Sequence, residues 1–144
     1  MIIRRATPDD RYSLAALACE LWGGTPDQRE SEFDALTRND EAVCFLSLED
    51  GCAVGFAQCQ LRHDYVEGTE TSPVGFLEGV YVRPEQHHKG IARQLVAACE
   101  DWARSVGCTE FGSDCELDNT DSLAFHLAIG FEEVGRTIWF NKKL

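Results

Sequence analysis

The stretch Gly79-Val80-Tyr81-Val82-Arg83-Pro84 leaves a β-rich run and passes through Glu85-Gln86-His87-His88-Lys89 to Gly90-Ile91-Ala92, where helical spacing of apolar residues begins. The chemistry such a turn offers is anion binding. The first N–H groups of a helix lack internal acceptors and the helix dipole favours negative charge, so backbone amides here can cradle a pyrophosphate. His87, His88 and Lys89 add positive character beside them. An ordinary glycine-containing strand-to-helix turn has the same local pattern, so the segment alone names no ligand. Glu78 and Asp114 form a second set, each near the C-terminal end of an expected strand, the edge at which ligands settle in α/β sheets. A carboxylate so placed takes a proton from an amine or holds an ammonium group, or else is a solvated strand-end acid.

These residues need elements to position them. Ile2 to Ala6 reads as a short strand, and Thr7-Pro8-Asp9-Asp10 supplies a cap, a proline and early acids for a helix. Leu14, Leu17, Ala18, Leu21 and Trp22 recur at helical spacing until Gly23-Gly24-Thr25-Pro26 stops them. A more polar helix follows over 27–37, with Phe33 and Leu36 inward. The runs 42–48 and 52–61 flank Glu49-Asp50-Gly51, a hairpin signal that makes them antiparallel neighbours. Residues 62–73 form a polar connection carrying His63, Asp64, Tyr65, Glu67 and Glu70, and 74–82 is the next strand, ended by Pro84. Ile91, Leu95, Cys99, Trp102 and Val106 trace one stripe of a helix over 88–106. A strand over 108–115, a short helix over 117–129 and a final strand over 131–140 complete a mixed α/β order whose second half is a strand-helix-strand unit.

The 144 residues and their 44% hydrophobic content suit one compact domain with a real core. A net charge of −12 argues against nucleic acid, whose phosphates require clustered Lys and Arg, and suits a polycationic partner or simply a soluble surface. Seven cysteines, an odd number with no C-x-x-C pair, read as reduced, buried small hydrophobes rather than zinc or redox ligands. No apolar stretch is long enough to span a membrane, and no apolar core follows the charged N-terminus, so a soluble, cytoplasmic protein with no metal is expected.

With the elements in order, the turn gains context: Val82-x-Pro84 followed by His87-x-x-Gly90-x-Ala92 resembles the acetyl-coenzyme A motif of the GNAT superfamily, with His87 where Arg or Gln is usual. The resemblance continues through Asp118-Asn119 at a helix start and Gly130-Phe131-Glu132 after it. Within the superfamily the chain is similar to the aminoglycoside 6'-N-acetyltransferases, through 64–69, Ser72-Pro73-Val74-Gly75-Phe76-Leu77-Glu78, Glu110-x-x-Ser113-Asp114 and Leu21-Trp22. That resemblance implies a GNAT fold, mixed α/β, with a mostly antiparallel, splayed central sheet of about six to seven strands flanked by about four helices. It also implies a homodimer, for which the apolar, β-rich strand Thr137 to Phe140 offers a pairing edge unless it is wholly internal.

The reaction it implies is direct attack of an unprotonated amine on the thioester of acetyl-CoA, with none of the cysteines catalytic. The strand ending at Val80, Tyr81 and Val82 would offer an N–H to the thioester oxygen, and the amides of the 87–92 turn would hold the pyrophosphate. Asp114 is the first choice for proton acceptor, directly or through water, with Glu78 sharing the substrate's charge. Trp22 and Tyr65 correspond to positions used against sugar rings, although Trp22 fits a core stripe equally well. His126 stands where many GNAT enzymes carry a tyrosine that protonates the departing thiolate, and packing is its alternative role. Asn119 is a cofactor hydrogen bonder or a helix N-terminal residue. Where close relatives carry a further acid this chain has Val134-Gly135, which would narrow the aminoglycosides accepted. Two rival readings stay open: acetylation of another amine, such as a polyamine or a protein, and a non-catalytic acetyl-CoA sensor.

Overall fold

Thr7 and Asp10 start the first helical run as their positions suggest. The Thr7 N–H donates to the Asp10 carboxylate at 2.8 Å, and Arg4 grips both oxygens of that carboxylate at 2.8 Å. The computed structural model describes residues 1–144. Strand β1 (Ile2–Arg5) leads through a 3-10 turn at Pro8–Asp10 into α1 (Arg11–Trp22) and α2 (Pro26–Arg38). Then come β2 (Ala42–Glu49), β3 (Cys52–Arg62), β4 (Val74–Val82), α3 (Ile91–Ser105), β5 (Phe111–Ser113) and α4 (Thr120–Ala128). The sheet runs β1-β2-β3-β4-β5, antiparallel except for the parallel β4–β5 pair that α3 connects.

Strand alternation divides the core between the two faces of the sheet. On one face Val43, Ala57, Cys59 and Leu77 meet Ile91, Leu95, Cys99 and Trp102 of α3. On the other Cys44, Leu46 and Phe56 meet Leu14, Leu17 and Ala18 of α1 and Phe33 of α2. The expected α3 stripe therefore holds through Trp102. Val106 leaves it: it follows the helix as its C-cap and is exposed.

Five strands form, fewer than the six to seven expected, and the four helices agree. The run 108–115 yields only the three residues of β5, and no strand forms over 131–140. An apolar β pattern becomes a strand only where an edge pairs with it, and no edge of this chain takes up Thr137 to Phe140. Ile138, Trp139 and Phe140 accordingly stand at 77%, 88% and 92% exposure.

Candidate active site

Strand β4 carries one residue too many for its partner. Leu77 lies opposite Cys59 and Gly79 opposite Gln58, so Glu78 is the extra residue of a β-bulge. The bulge resets the alternation: Phe76 and Tyr81 are five positions apart, yet their partners Gln60 and Phe56 are an even four apart, on the α1 face. Glu78 is thereby turned out of an otherwise apolar strand, Val-Gly-Phe-Leu-Glu-Gly-Val-Tyr-Val. Gly79 beside it receives Trp22, whose ring would meet a Cβ there at 2.3 Å. Trp22 stacks edge-on against Phe56 at 5.8 Å and is 40% exposed, so it is a wall residue with one face in water rather than a buried core residue.

The sheet splays at the same place. The β4–β5 ladder ends at Leu77 and Ser113, and β4 continues from Glu78 to Val82 with no partner strand on that side. Asp114 follows Ser113 immediately, so the two predicted carboxylates each lie one residue past the last registered pair. They differ in surroundings. Glu78 is held by Arg62, whose Nε and Nη2 donate to Oε1 at 3.1 and 2.9 Å and whose Nη2 donates to Oε2 at 2.8 Å. Asp114 is exposed and has no cation beside it. Arg62 also lies over the Phe76 ring at 3.7 Å. Sequence reasoning placed Arg62 merely at the start of a loop; the signal was Glu78 itself, an acid in an apolar strand that requires a partner.

The 63–73 connection is anchored to β5 by Glu110, whose carboxylate accepts the N–H groups of Glu70 and Thr71 at 2.9 and 2.8 Å and the Thr71 hydroxyl. Those bonds, the Thr71 hydroxyl first, hold the Glu110 carboxyl below its ordinary range. Tyr65 is 74% exposed on this loop, and its hydroxyl accepts the Gly68 N–H at 3.3 Å. Val134 packs on the same loop, 2.8 Å from where a Gly68 Cβ would stand, so the residue that replaces an expected acid forms an apolar rim.

At the far end of β4 the 87–90 turn is built by two left-handed residues, His88 at φ 64° and Gly90 at φ 75°. Gly90 is the N-cap of α3, no side chain caps that end, and a Cβ on Gly90 would meet nothing within 4 Å. The leading amides of Ile91 and Ala92 are therefore open to an acceptor as large as a pyrophosphate, while the Ile91 side chain itself is buried in the core. The His87 ring is 2.7 Å from the Val82 carbonyl, pinning the turn to the strand end, and Lys89 donates to Gln86 at 2.9 Å. Val82 is buried, and burial pushes the Tyr81 phenol up, with Glu20 adding to it.

Asn119 caps α4, its side chain accepting the Ser122 N–H at 3.1 Å. One ring nitrogen of His126 is 2.7 Å from the Ser122 carbonyl and the other 2.8 Å from the Ser113 hydroxyl, and Phe131 packs on the ring at 5.1 Å. Both nitrogens are thus engaged in joining α4 to β5. Trp22, Glu78, Gly79, Arg62 and Asp114 gather around the splay, whereas the turn before α3 serves the opposite end of the exposed β4 edge. A surface hollow of about 550 Å³ on α1 and α2, lined only by Arg11, Asp27, Glu30, Ser31, Asp34 and Arg38, contains none of these residues.

Residues 10–131 match the model of the acetyltransferase (GNAT) family. The chain is 44% identical over 142 residues to an aminoglycoside N(6')-acetyltransferase type 1 of Stenotrophomonas maltophilia, covering 99% of this chain and 93% of the relative. It superposes with a TM-score of 0.94 on the aminoglycoside antibiotic 6'-N-acetyltransferase AAC(6')-IG of Acinetobacter haemolyticus, at 38% identity over 100% of this chain and 99% of the other. It superposes with a TM-score of 0.93 on AAC(6')-Iy in complex with a bisubstrate analogue, CoA-S-monomethyl-acetylneamine, at 38% identity over 99% and 98% of the two chains.

Proposed function

The chain belongs to the acetyltransferase (GNAT) family, whose co-substrate is acetyl-CoA, and we propose that it transfers the acetyl group to the 6'-amine of a cationic aminoglycoside, conferring resistance to that antibiotic. The observation that carries this reading is the pair of carboxylates, Glu78 and Asp114, set beside the Trp22 wall where the sheet splays. An aminoglycoside presents several ammonium groups on sugar rings, and that site offers it negative charge together with an aromatic face. Likeness to enzymes of that name over nearly the whole of both chains supports the same acceptor.

In this reading residues 1–144 are one N-acetyltransferase domain. Bound acetyl-CoA supplies the acetyl group as a thioester. The amides of the 87–92 turn, with Lys89 and His88 beside them, hold its pyrophosphate, and Asn119 at the start of α4 is a further hydrogen bonder to it. The β4 edge from Val80 to Val82 donates an N–H to the carbonyl oxygen on which charge develops, a contribution of about 3 kcal/mol in comparable sites. Asp114, free of any cation, accepts the amine's proton directly or through water. Glu78 orients the acceptor, and Trp22 and Tyr65 flank its rings. His126, engaged at both nitrogens, positions α4 and Ser113 rather than protonating a thiolate that leaves readily unaided.

Release of coenzyme A in the presence of kanamycin or tobramycin, compared with spermidine and basic peptides, tests the assignment. Preference for spermidine or peptide would place the chain among acetyltransferases of other amines, and binding of acetyl-CoA with no turnover would make it a sensor. Replacing both Asp114 and Glu78 by alanine is expected to abolish turnover while leaving acetyl-CoA affinity within about threefold of the parent.

The reading extends to a homodimer in the cytoplasm. Ile138, Trp139 and Phe140 expose more contiguous apolar surface than a lone chain keeps in water, and Arg136, Lys142 and Lys143 beside them suit an acidic surface such as this chain's own. Seven unpaired cysteines favour a reducing compartment. Light scattering of the full chain and of one lacking residues 136–144 is expected to give a dimer and a monomer respectively.

A further inference from the structure

Glu78 meets the acceptor already paired. Arg62 engages both of its oxygens through three contacts of 2.8 to 3.1 Å and is itself seated on the Phe76 ring at 3.7 Å. The bulge at residue 78 and the end of β3 at Arg62 bring the two together across 16 residues of sequence. An isolated carboxylate beside an ammonium group stabilises the protonated amine. That is useful for binding and adverse to a reaction in which the amine must lose its proton. A guanidinium on the same carboxylate cancels most of that effect.

We propose that Arg62 is a positioning residue that holds Glu78 toward the acceptor and offsets its charge, so that the bound amine sheds its proton near neutral pH. The proposal rests on the acceptor being an aminoglycoside amine. In the step it serves, an N–H bond of the ammonium breaks and its proton passes to the Asp114 carboxylate or to water. The freed nitrogen lone pair forms the N–C bond, the C–S bond breaks with its electron pair leaving on sulfur, and the second proton lost from nitrogen passes through solvent to the thiolate, giving the amide and the coenzyme A thiol. Arg62 loses and gains nothing; it changes the charge seen by the nitrogen. The other ionisable groups on elements around the pair are Asp114 after β5, His126 on α4 through Ser113, Glu41 bonded to His63 at the open end of β2 and β3, and Arg29 over Trp22. Of these cations none touches Glu78, so Arg62 alone supplies the offset.

The test compares the parent with Arg62→Gln and Arg62→Lys, using single-turnover rates across pH at saturating acetyl-CoA and kanamycin, and kanamycin affinity by calorimetry. For Arg62→Gln the ascending limb of the rate profile is expected to move up by about half to one pH unit, the effect of removing one charge some 5 Å away in a wet site. The rate at pH 7 falls about three- to tenfold, recovers at high pH, and kanamycin binds more tightly. Arg62→Lys keeps the charge and is expected to restore the limb to within about 0.3 units. An unchanged limb with weaker kanamycin binding in Arg62→Gln would mean that Arg62 merely braces Glu78 and would overturn the proposal, as would a limb that Arg62→Lys fails to restore. If the parent acetylates no aminoglycoside, the functional reading falls and takes this proposal with it. A parent that turns over kanamycin with Arg62-independent pH behaviour sinks the proposal alone.

Discussion

Replacing Gly79 by alanine isolates the contact that shapes the site. Gly79 does not adopt a left-handed conformation, so alanine meets no backbone penalty and in a strand should be tolerated. The obstacle is Trp22. The new Cβ would lie 2.3 Å from Cζ2, 2.7 Å from Cη2 and 3.4 Å from Cε2 of that ring, where carbon atoms pack at about 3.5–4 Å. β4 cannot retreat, because Gly79 pairs with Gln58 and Val80 with Ala57, so the ring must move by more than about 1 Å. In doing so it loses the edge contact with Phe56 and the Arg29 guanidinium 5.3 Å from its centroid. Such contacts are worth about 0.5–1.5 and 0.5–1 kcal/mol, so the change should cost about 2 kcal/mol and lower Tm by about 6 °C. The specificity constant for kanamycin should fall about tenfold as the wall beside Glu78 shifts. A double-mutant cycle decides the cause: in a Trp22→Ala background the same substitution should cost less than about 0.5 kcal/mol. An equal loss of about 2 kcal/mol in both backgrounds would refute the argument and place the strain in the strand itself.

Three further outcomes are expected. Arg4 draws the Asp10 carboxyl below its ordinary range, so the stability this clamp contributes is fully present above pH 4 and is lost as pH falls through the lowered value; Arg4→Gln should cost roughly 0.5–1 kcal/mol at pH 7 and almost nothing at pH 2 by chemical denaturation. The exposed Cys52 and Cys115 should react quickly with a thiol reagent, whereas Cys44, whose thiol burial pushes up to about 12, and the buried Cys59, Cys99 and Cys108 should react only on unfolding, a difference that mass spectrometry resolves. Gln58, buried opposite Gly79 with its side-chain oxygen unpartnered, should gain about 1 kcal/mol and about 3 °C in Tm on replacement by methionine, read by calorimetry.

What the sequence makes legible follows from how local each signal is. Helix α3 and its turn were readable because a sustained apolar stripe and a glycine at its start are written in adjacent residues, and β4 was readable end to end because Pro84 and a polar loop bracket it. The 131–140 run failed for the opposite reason: its β pattern is real, but whether a strand forms depends on an edge elsewhere. The site divides likewise. Glu78 and Asp114 stand out as acids at strand ends, yet the bulge that orients Glu78 is a matter of register between two strands, and its pairing with Arg62 joins residues far apart in sequence. Trp22 had the spacing of a core residue and proves half in solvent, because α1 ends there and Gly79 leaves room for the ring. His87 and Asn119, expected at the cofactor, have structural contacts that spacing did not reveal, one pinning the turn to Val82 and the other capping α4.

The extra residue in β4 separates two properties that a single position would otherwise fuse. Which side chain stands at 78 decides charge, whereas the phase of the strand is carried by its neighbours, Leu77 and Gly79, which face the consecutive residues Cys59 and Gln58. Substitution at 78 touches only the first. Deleting it would remove the carboxylate and let Leu77 and Gly79 pair consecutively with Cys59 and Gln58, leaving Val80 toward α3 and Tyr81 toward α1. The carboxylate thus stands outside the packing phase of the strand: the core on both faces of the sheet is indifferent to residue 78, and its removal falls on the site alone.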